Sequence, residues 1–280
     1  QSTAYQLVAS ILRGLLGLPE NADSALVQIA LQGRINELFD PFDPLSSGDR
    51  SETEIFLGHL LSLPQKPEAL ARLGQLDPQG LQGNYVQALR RLLLRLTSRN
   101  PVVVVMEDLH WADPSSVEVL SSLLPLVSSC PLLLCLVSRV DRDAPGWKLI
   151  SSARERLGGA LTEIVLEALS EEDTRQLIAN LLEIEALPEP MRSLILDRSE
   201  GNPLFVEEVI RMLIDHGAIV NRDGAWVAEA GIADVEIPDN LQGLLTARID
   251  RLPGPGKEIV RVASVVGRQF AVRVLEQVMG

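Results

Sequence analysis

The sequence predicts an α/β fold, in which a parallel sheet is joined by crossover helices. Two apolar runs of strand length, residues 102–106 and 132–137, are separated by a segment with helical spacing. A third candidate strand follows at residues 163–166. The first run is β-branched without alternation, which is typical of a strand that is buried on both faces of a parallel sheet.

The helices that precede the first strand are predicted by the spacing of their apolar residues. Leucine, isoleucine and valine recur at helical intervals in residues 7–16, 23–39, 52–63 and 79–98. The turn-rich residues 40–49 predict a surface loop. Arg91, Arg95 and Arg99 repeat every fourth residue on the side of the last helix that faces away from its leucines, which is typical of a solvated face.

Caps and turns predict the elements after the first strand. Asp113 is a good N-cap residue and Pro114 suits the first position of a helix. Ser170 is expected to cap a helix that begins EEDTRQL. Apolar pairs on both sides of residues 221–224 predict a hairpin, and a further helix is expected from Ile237.

Charge, cysteine content and hydropathy weigh against several classes of protein. The 280 residues carry a formal net charge of −13, which opposes binding to nucleic acid or to an anionic membrane. The two cysteines, Cys130 and Cys135, predict buried free thiols in a reducing compartment without a disulfide, and we expect a cytoplasmic protein. No apolar stretch is long enough to cross a bilayer.

Two adjacent carboxylates, Glu107 and Asp108, end the first strand and are the main candidates for chemistry. Open α/β sheets bind ligands beyond the carboxyl ends of their strands. In a nucleoside triphosphatase, one such acid holds Mg²⁺ directly or through water, and the other orients the attacking water. The alternative is a pair of solvated loop carboxylates with no catalytic role.

The wider segment VVVVMEDLHWADPSS closely resembles the Walker B segment of the STAND-type AAA-like ATPases, the signal transduction ATPases with numerous domains. Those modules are fused to adenylate or guanylate cyclase domains, to serine/threonine kinases or to LuxR-type DNA-binding regulators. Three later segments resemble the sensor strand, the GNP phrase of the helical lid and the start of the winged helix: LLLCLVSR, EGNPLFVEEVIRML and IPDNLQGLLTARIDRLP. Together these matches cover roughly residues 80–270.

The resemblance implies ATP and Mg²⁺ as cofactors, and it assigns roles to the acids. Glu107 stands in the place of the acid associated with Mg²⁺, and Asp108 in that of the water-orienting acid. A glutamate in the first place departs from the usual pattern, because its longer side chain would shift the contact with the metal. Trp111 is expected to be a packing residue, with a residue that stacks on the base as the alternative. Asp113 is expected to be a cap, with a ligand as the alternative.

Four further residues receive roles from the resemblance. Arg139, after the sensor strand, is expected to contact the γ-phosphate, and a surface or salt-bridged arginine is the alternative. Gly201, Asn202 and Pro203 correspond to the lid phrase that closes over the adenine. The alternative is an ordinary turn between helices, since these residue types are what turns require.

A phosphate-binding loop of the form G-x-x-x-x-G-K-[ST] is absent from the sequence. The resemblance places this loop upstream of the first helix, so we interpret the chain as N-terminally truncated. We therefore expect these residues alone to bind ATP weakly or not at all. In the complete protein, hydrolysis of ATP to ADP and phosphate would be slow or regulatory.

The resemblance implies three domains and a switch. Residues 1–168 would form the C-terminal part of a P-loop ATPase domain with a partial parallel sheet, residues 169–235 the helical lid, and residues 236–280 the start of a winged-helix domain. Bound nucleotide would gate an attached cyclase, kinase or DNA-binding output domain. The alternatives are a scaffold that has lost nucleotide chemistry and a DNA-binding regulator that acts through the winged helix.

Overall fold

Helices make up most of the chain, and two small sheets accompany them. The computed structural model describes residues 4–19, 22–39, 44–182, 188–222, 225–232, 235–266 and 272–279. The chain divides into two units, Gln1–Glu163 and Ile164–Gly280, and each has its own hydrophobic core. The division into three domains stays a prediction.

The first unit contains seven α-helices and two strands in its described residues. In chain order these are α1 (Gln6–Leu15), α2 (Ser24–Leu38), α3 (Pro44–Leu60), α4 (Pro67–Gly74), α5 (Pro78–Thr97), β1 (Val102–Met106), α6 (Pro114–Leu123), β2 (Leu132–Leu136) and α7 (Pro145–Leu157). Strands β1 and β2 are parallel and in register from Val102 opposite Leu132 to Met106 opposite Leu136. The α/β class, both strands and the crossover helix α6 are thereby confirmed.

The sequence predicted strands that are buried on both faces and cysteines that are buried. Both predictions are wrong, and Cys135 of β2 is exposed. Val104 and Met106 are buried, whereas Val103, Val105 and Leu133 are 56–60% exposed. Among the described residues, β1 and β2 pair only with each other. An apolar pattern records which residues favour burial, but a second layer must be present to bury them.

The third predicted strand is wrong. Residues 161–170 have no regular secondary structure, and Ile164, Val165 and Leu166 are 74–89% exposed. A strand requires a neighbour for its backbone hydrogen bonds, and the described sheet offers this segment no such pairing.

Two other expectations about the first unit need correction. Helix α3 already begins at Pro44, inside the predicted loop, because proline suits a first helical turn where its missing N–H has no partner anyway; residues 40–43 lie outside the described part. The row of Arg91, Arg95 and Arg99, whose last member lies two residues beyond α5, is not simply solvated. Its members reach α2, α3 and the residue after α2: Arg91 to Asp49 at 2.8 Å, Arg95 over the ring of Phe39 at 5.3 Å, and Arg99 to Glu37 at 2.8 Å.

The second unit is a helical assembly with one hairpin. Its elements are α8 (Glu171–Leu182), α9 (Glu189–Ser199), α10 (Pro203–Asp215), β3 (Ile219–Arg222), β4 (Ala225–Ala228), α11 (Leu241–Asp250), α12 (Gly254–Val266) and α13 (Val272–Met279). The predicted hairpin is confirmed, with pairing that continues to Arg222 opposite Ala225. Ser170 caps α8 as predicted, since its hydroxyl oxygen accepts the N–H of Asp173 at 3.1 Å.

The core of the second unit surrounds α10. The buried side chains of this helix include Phe205, Val206 and Leu213, and they pack with Ile195 of α9 and Leu244 of α11. No helix in the described residues is both long and apolar enough to cross a membrane.

Candidate functional site

The acid pair and the arginine leave the same edge of the sheet. Glu107 and Asp108 directly follow β1, and Ser138 and Arg139 follow β2. Because the two strands are parallel, their carboxyl ends lie side by side, and the N–H of Val137 donates to the carbonyl of Met106 at 2.8 Å. The sequence-predicted residues of the first unit are therefore brought to one edge. Glu107 and Arg139 are exposed and Asp108 is half-buried.

Asp108 begins a tight turn in an unusual backbone conformation. Its φ of 53° and ψ of 37° lie in the left-handed region, which aspartate tolerates better than most residues with a side chain. A short 3₁₀ helix, Leu109–Trp111, follows, and the N–H of Trp111 donates to the carbonyl of Asp108 at 2.9 Å. The chain therefore turns away from the line of β1 at Asp108.

Leu109 anchors that turn to the sheet and to the core. Its N–H donates to the carbonyl of Val137, beyond β2, at 3.1 Å, and its side chain is fully buried. Gly146, in the first turn of α7, is buried beside it. The role of this glycine was not predictable from the sequence, because a glycine beside a proline is equally typical of any loop or helix start.

The rings of His110 and Trp111, in the turn after Asp108, contact each other. Their rings lie 4.8 Å apart in a tilted arrangement. The Nδ1 atom of His110 is buried and has no hydrogen-bond partner in the described residues, whereas Trp111 is 73% exposed. An indole this exposed is not packed in the protein, so the expectation that Trp111 is a packing residue is wrong.

Asp113 is a cap, as its sequence context predicted. Its carboxylate accepts hydrogen bonds from the N–H and the hydroxyl of Ser116 at 2.9 and 2.6 Å, at the start of α6. It also accepts from backbone N–H groups at the start of α1. With its oxygens used in this way, Asp113 is not available as a metal ligand.

The GNP phrase lies in the second unit and forms a helix start. The side-chain oxygen of Asn202 accepts the N–H of Leu204 at 3.0 Å, and Pro203 is the first residue of α10. Gly201 has a φ of 71°, and its carbonyl accepts the N–H of Leu169 at 2.9 Å. A Cβ at Gly201 would lie 2.4 Å from the carbonyl oxygen of Leu169, so the glycine is required for both conformation and space.

The acid pair fits a magnesium ion that is shared with phosphates. Mg²⁺ is usually held by one or two carboxylates together with water and substrate phosphates. Glu107 and Asp108 supply such oxygen ligands at an accessible edge. In the described part of the chain, no group of three or more His, Cys, Asp or Glu side chains could hold a metal ion.

Parts of the chain are similar to known protein families. Residues 2–137 match the AAA ATPase domain family, and residues 170–226 match a domain of unknown function (DUF8739). The uncharacterized protein R02095 of Rhizobium meliloti (strain 1021) is 29% identical over 212 residues, which cover 72% of this chain and 18% of that protein. No solved structure matches the chain. The family match supports an AAA-like P-loop ATPase domain, and hence a nucleotide-binding module, in residues 2–137.

Proposed function

We propose that this chain is the acid side of an ATP-dependent regulatory switch of the STAND type. The observation that carries the proposal is the common edge at which Glu107 and Asp108 leave β1 and Arg139 leaves its parallel neighbour β2. That edge is where open α/β sheets bind ligands. Two anionic groups thus follow one strand end and one cationic group follows the neighbouring strand end, and a bound Mg²⁺ and a phosphate chain would need groups of these charges.

Each residue has a distinct task in this proposal. Glu107, the more exposed acid, would hold Mg²⁺ directly or through water. Asp108, fixed in its left-handed turn, would accept a hydrogen bond from the attacking water and orient it. Arg139 would donate hydrogen bonds to the γ-phosphate. When bound, Mg²⁺ would neutralise part of the charge on the phosphates.

The proposed switch needs two further parts. The phosphates need a G-x-x-x-x-G-K-[ST] loop, which these 280 residues do not contain and which another part of the protein would supply. The lid phrase Gly201–Pro203 and the following residues, as lid and winged helix, would respond to nucleotide and gate an attached cyclase, kinase or DNA-binding domain. This is a hinge-type switch, in which ligand contacts differ between two states.

The test is ATP turnover in the protein extended upstream to include a phosphate loop. Glu107→Gln and Asp108→Asn should each lower kcat, by about tenfold or more, and Glu107→Gln should also raise the Mg²⁺ concentration that gives half-maximal rate. Glu155→Gln, an exposed carboxylate of α7, is the matched control and should change neither. If neither acid substitution alters turnover or Mg²⁺ dependence, a nucleotide-independent scaffold becomes the better interpretation.

A further inference from the structure

The first turn of α7 lies against the backbone of the turn that carries Asp108. Gly146 is the second residue of α7 and is buried. A Cβ at this position would lie 1.7 Å from the carbonyl oxygen of Leu109 and 2.5 Å from its carbonyl carbon. Both distances are far below van der Waals contact, so no side chain fits here unless α7 or the turn moves.

The atoms that a side chain at position 146 would meet cannot yield easily. They belong to the backbone and not to the end of a flexible side chain. The N–H of Leu109 donates a hydrogen bond to the carbonyl of Val137, and the carbonyl of Leu109 accepts the N–H of Ala112 at 3.0 Å. The side chain of Leu109 is fully buried. A displaced peptide at Leu109 would therefore pull on Asp108, the preceding residue, whose left-handed conformation depends on the same turn.

The loop between β2 and α7 fixes the other side of this contact. The Oδ1 atom of Asp141 accepts the N–H groups of Asp143 and Ala144 at 3.1 and 3.2 Å. Ala144 is buried and Pro145 begins the helix. These hydrogen bonds order the loop directly before α7.

We propose that Gly146 is a positioning residue for the acid turn. Through its backbone contact with Leu109, the first turn of α7 holds Asp108 in the geometry that orients the attacking water. The role rests on the proposed function of Asp108, and it gives the site a residue without a side chain that is as necessary as the acids. It also joins the arginine side of the site to the acid side through one short loop.

Gly83 of α5 provides a matched control for Gly146. Alanine is a better helix former than glycine, so Gly→Ala in a helix is favourable where the space is open. A Cβ at Gly83 would meet no heavy atom within 4 Å. Gly83→Ala should therefore fold at least as well as the unsubstituted protein and leave its activity unchanged.

The first experiment measures ATP hydrolysis in the upstream-extended protein. Gly146→Ala should lower kcat by about tenfold or more and leave the KM for ATP within about twofold, because a shift near 1 Å can cost about 10²-fold in rate. Asp108→Asn is measured in parallel. If Asp108→Asn leaves kcat unchanged, the proposed function fails; if it lowers kcat and Gly146→Ala does not, the positioning role alone is overturned.

The second experiment follows hydrogen exchange of residues 107–112 in the 280-residue chain. Gly146→Ala should raise exchange there relative to Gly83→Ala, and equal exchange would contradict the proposal. If Gly146→Ala does not fold, the exposed substitution Asp141→Ala tests the positioning role instead. It removes the hydrogen bonds that order the loop before α7 and should loosen the contact between Gly146 and Leu109. We expect it to lower kcat by about two- to fivefold with KM unchanged. An unchanged kcat in a folded Asp141→Ala protein would overturn the positioning role.

Discussion

The carboxylate of Asp113 accepts a hydrogen bond of 2.8 Å from the backbone N–H of Tyr5, a residue 108 positions earlier in the chain. It also accepts the N–H of Leu7 at 3.3 Å, and the hydroxyl of its neighbour Ser116 accepts the N–H of Val8 at 3.2 Å. The first turns of α1 and α6 therefore share one cap. This cap connects the N-terminal helix to the segment that follows the acid pair.

Replacing Asp113 should cost more than losing an ordinary helix cap. Asp113→Ala removes the cap of α6 and the partners of Tyr5 and Leu7 together, and we expect it to lower the free energy of unfolding by about 3 kcal/mol. Asp77, which caps only α5 at an exposed position, is the matched control, and Asp77→Ala should cost about 1 kcal/mol. Urea denaturation of both variants at neutral pH measures the difference, and equal losses would contradict the double role.

The same carboxylate should make stability depend on acid pH. Burial acts to raise the pKa of Asp113, but hydrogen bonds from Ser116, Tyr5 and Leu7 outweigh it and hold the pKa below its ordinary value of 3.8. Because the folded-state pKa is lowered, the stabilisation is complete above about pH 3.8 and is lost as the pH falls through the folded-state pKa. The difference in unfolding free energy between the unsubstituted chain and Asp113→Asn should be constant from pH 7 to 5 and shrink below pH 4. A difference that grows on acidification would contradict this assignment.

Tyr85 should give the chain a second, alkaline transition. Burial, and then the charge of Tyr5, raise the pKa of Tyr85 to about 12, and its hydroxyl lies 2.5 Å from Nδ1 of His59. A raised folded-state pKa means that the stabilisation is complete below about pH 10 and is lost as the pH rises through 12. Ultraviolet titration of the folded chain should show one tyrosine that ionises near pH 12 and is absent in Tyr85→Phe. The loss of unfolding free energy above pH 10 should be smaller in that variant.

Two glycines of the second unit separate conformational strain from steric overlap. Gly201 and Gly217 have similar φ values, 71° and 68°, but only at Gly201 would a Cβ overlap other atoms. Gly217→Ala should lower the free energy of unfolding by about 1 kcal/mol, the cost of a left-handed alanine. Gly201→Ala should cost about 3 kcal/mol, since the overlap with Leu169 is added. Urea denaturation followed by circular dichroism compares the two, and equal costs would show that the close approach at Leu169 relaxes freely.

The sequence predicted best the features that neighbouring residues decide. The apolar run before Glu107 forms a strand, as predicted, and Asp113 and Ser170 cap the helices that follow them. Caps and strand ends depend on a few adjacent residues, so their patterns are visible along the chain. The resemblance of residues 102–116 located the acid pair for the same reason.

Features that depend on distant neighbours were missed. Arg99 contacts Glu37 only after α2 and α5 have packed. Residues 163–166 likewise predict a strand without showing whether a pairing strand is present. Gly146 is a further case, because its importance lies in a carbonyl 37 positions earlier. Spacing along one segment cannot report a contact whose other half lies elsewhere in the sequence.

The open face of β1 and β2 has a consequence for how the chain behaves at high concentration. The exposed apolar side chains of this face, Val103, Val105 and Leu133, can attract another copy of the chain at short range. The net charge of −13 repels other copies at long range. The Debye length is about 10 Å at 0.1 M salt, so added salt reduces the range of the charge repulsion and leaves the apolar attraction unchanged. We expect light scattering to show self-association that increases with ionic strength, the reverse of an association held by ion pairs. Val105→Glu should suppress it.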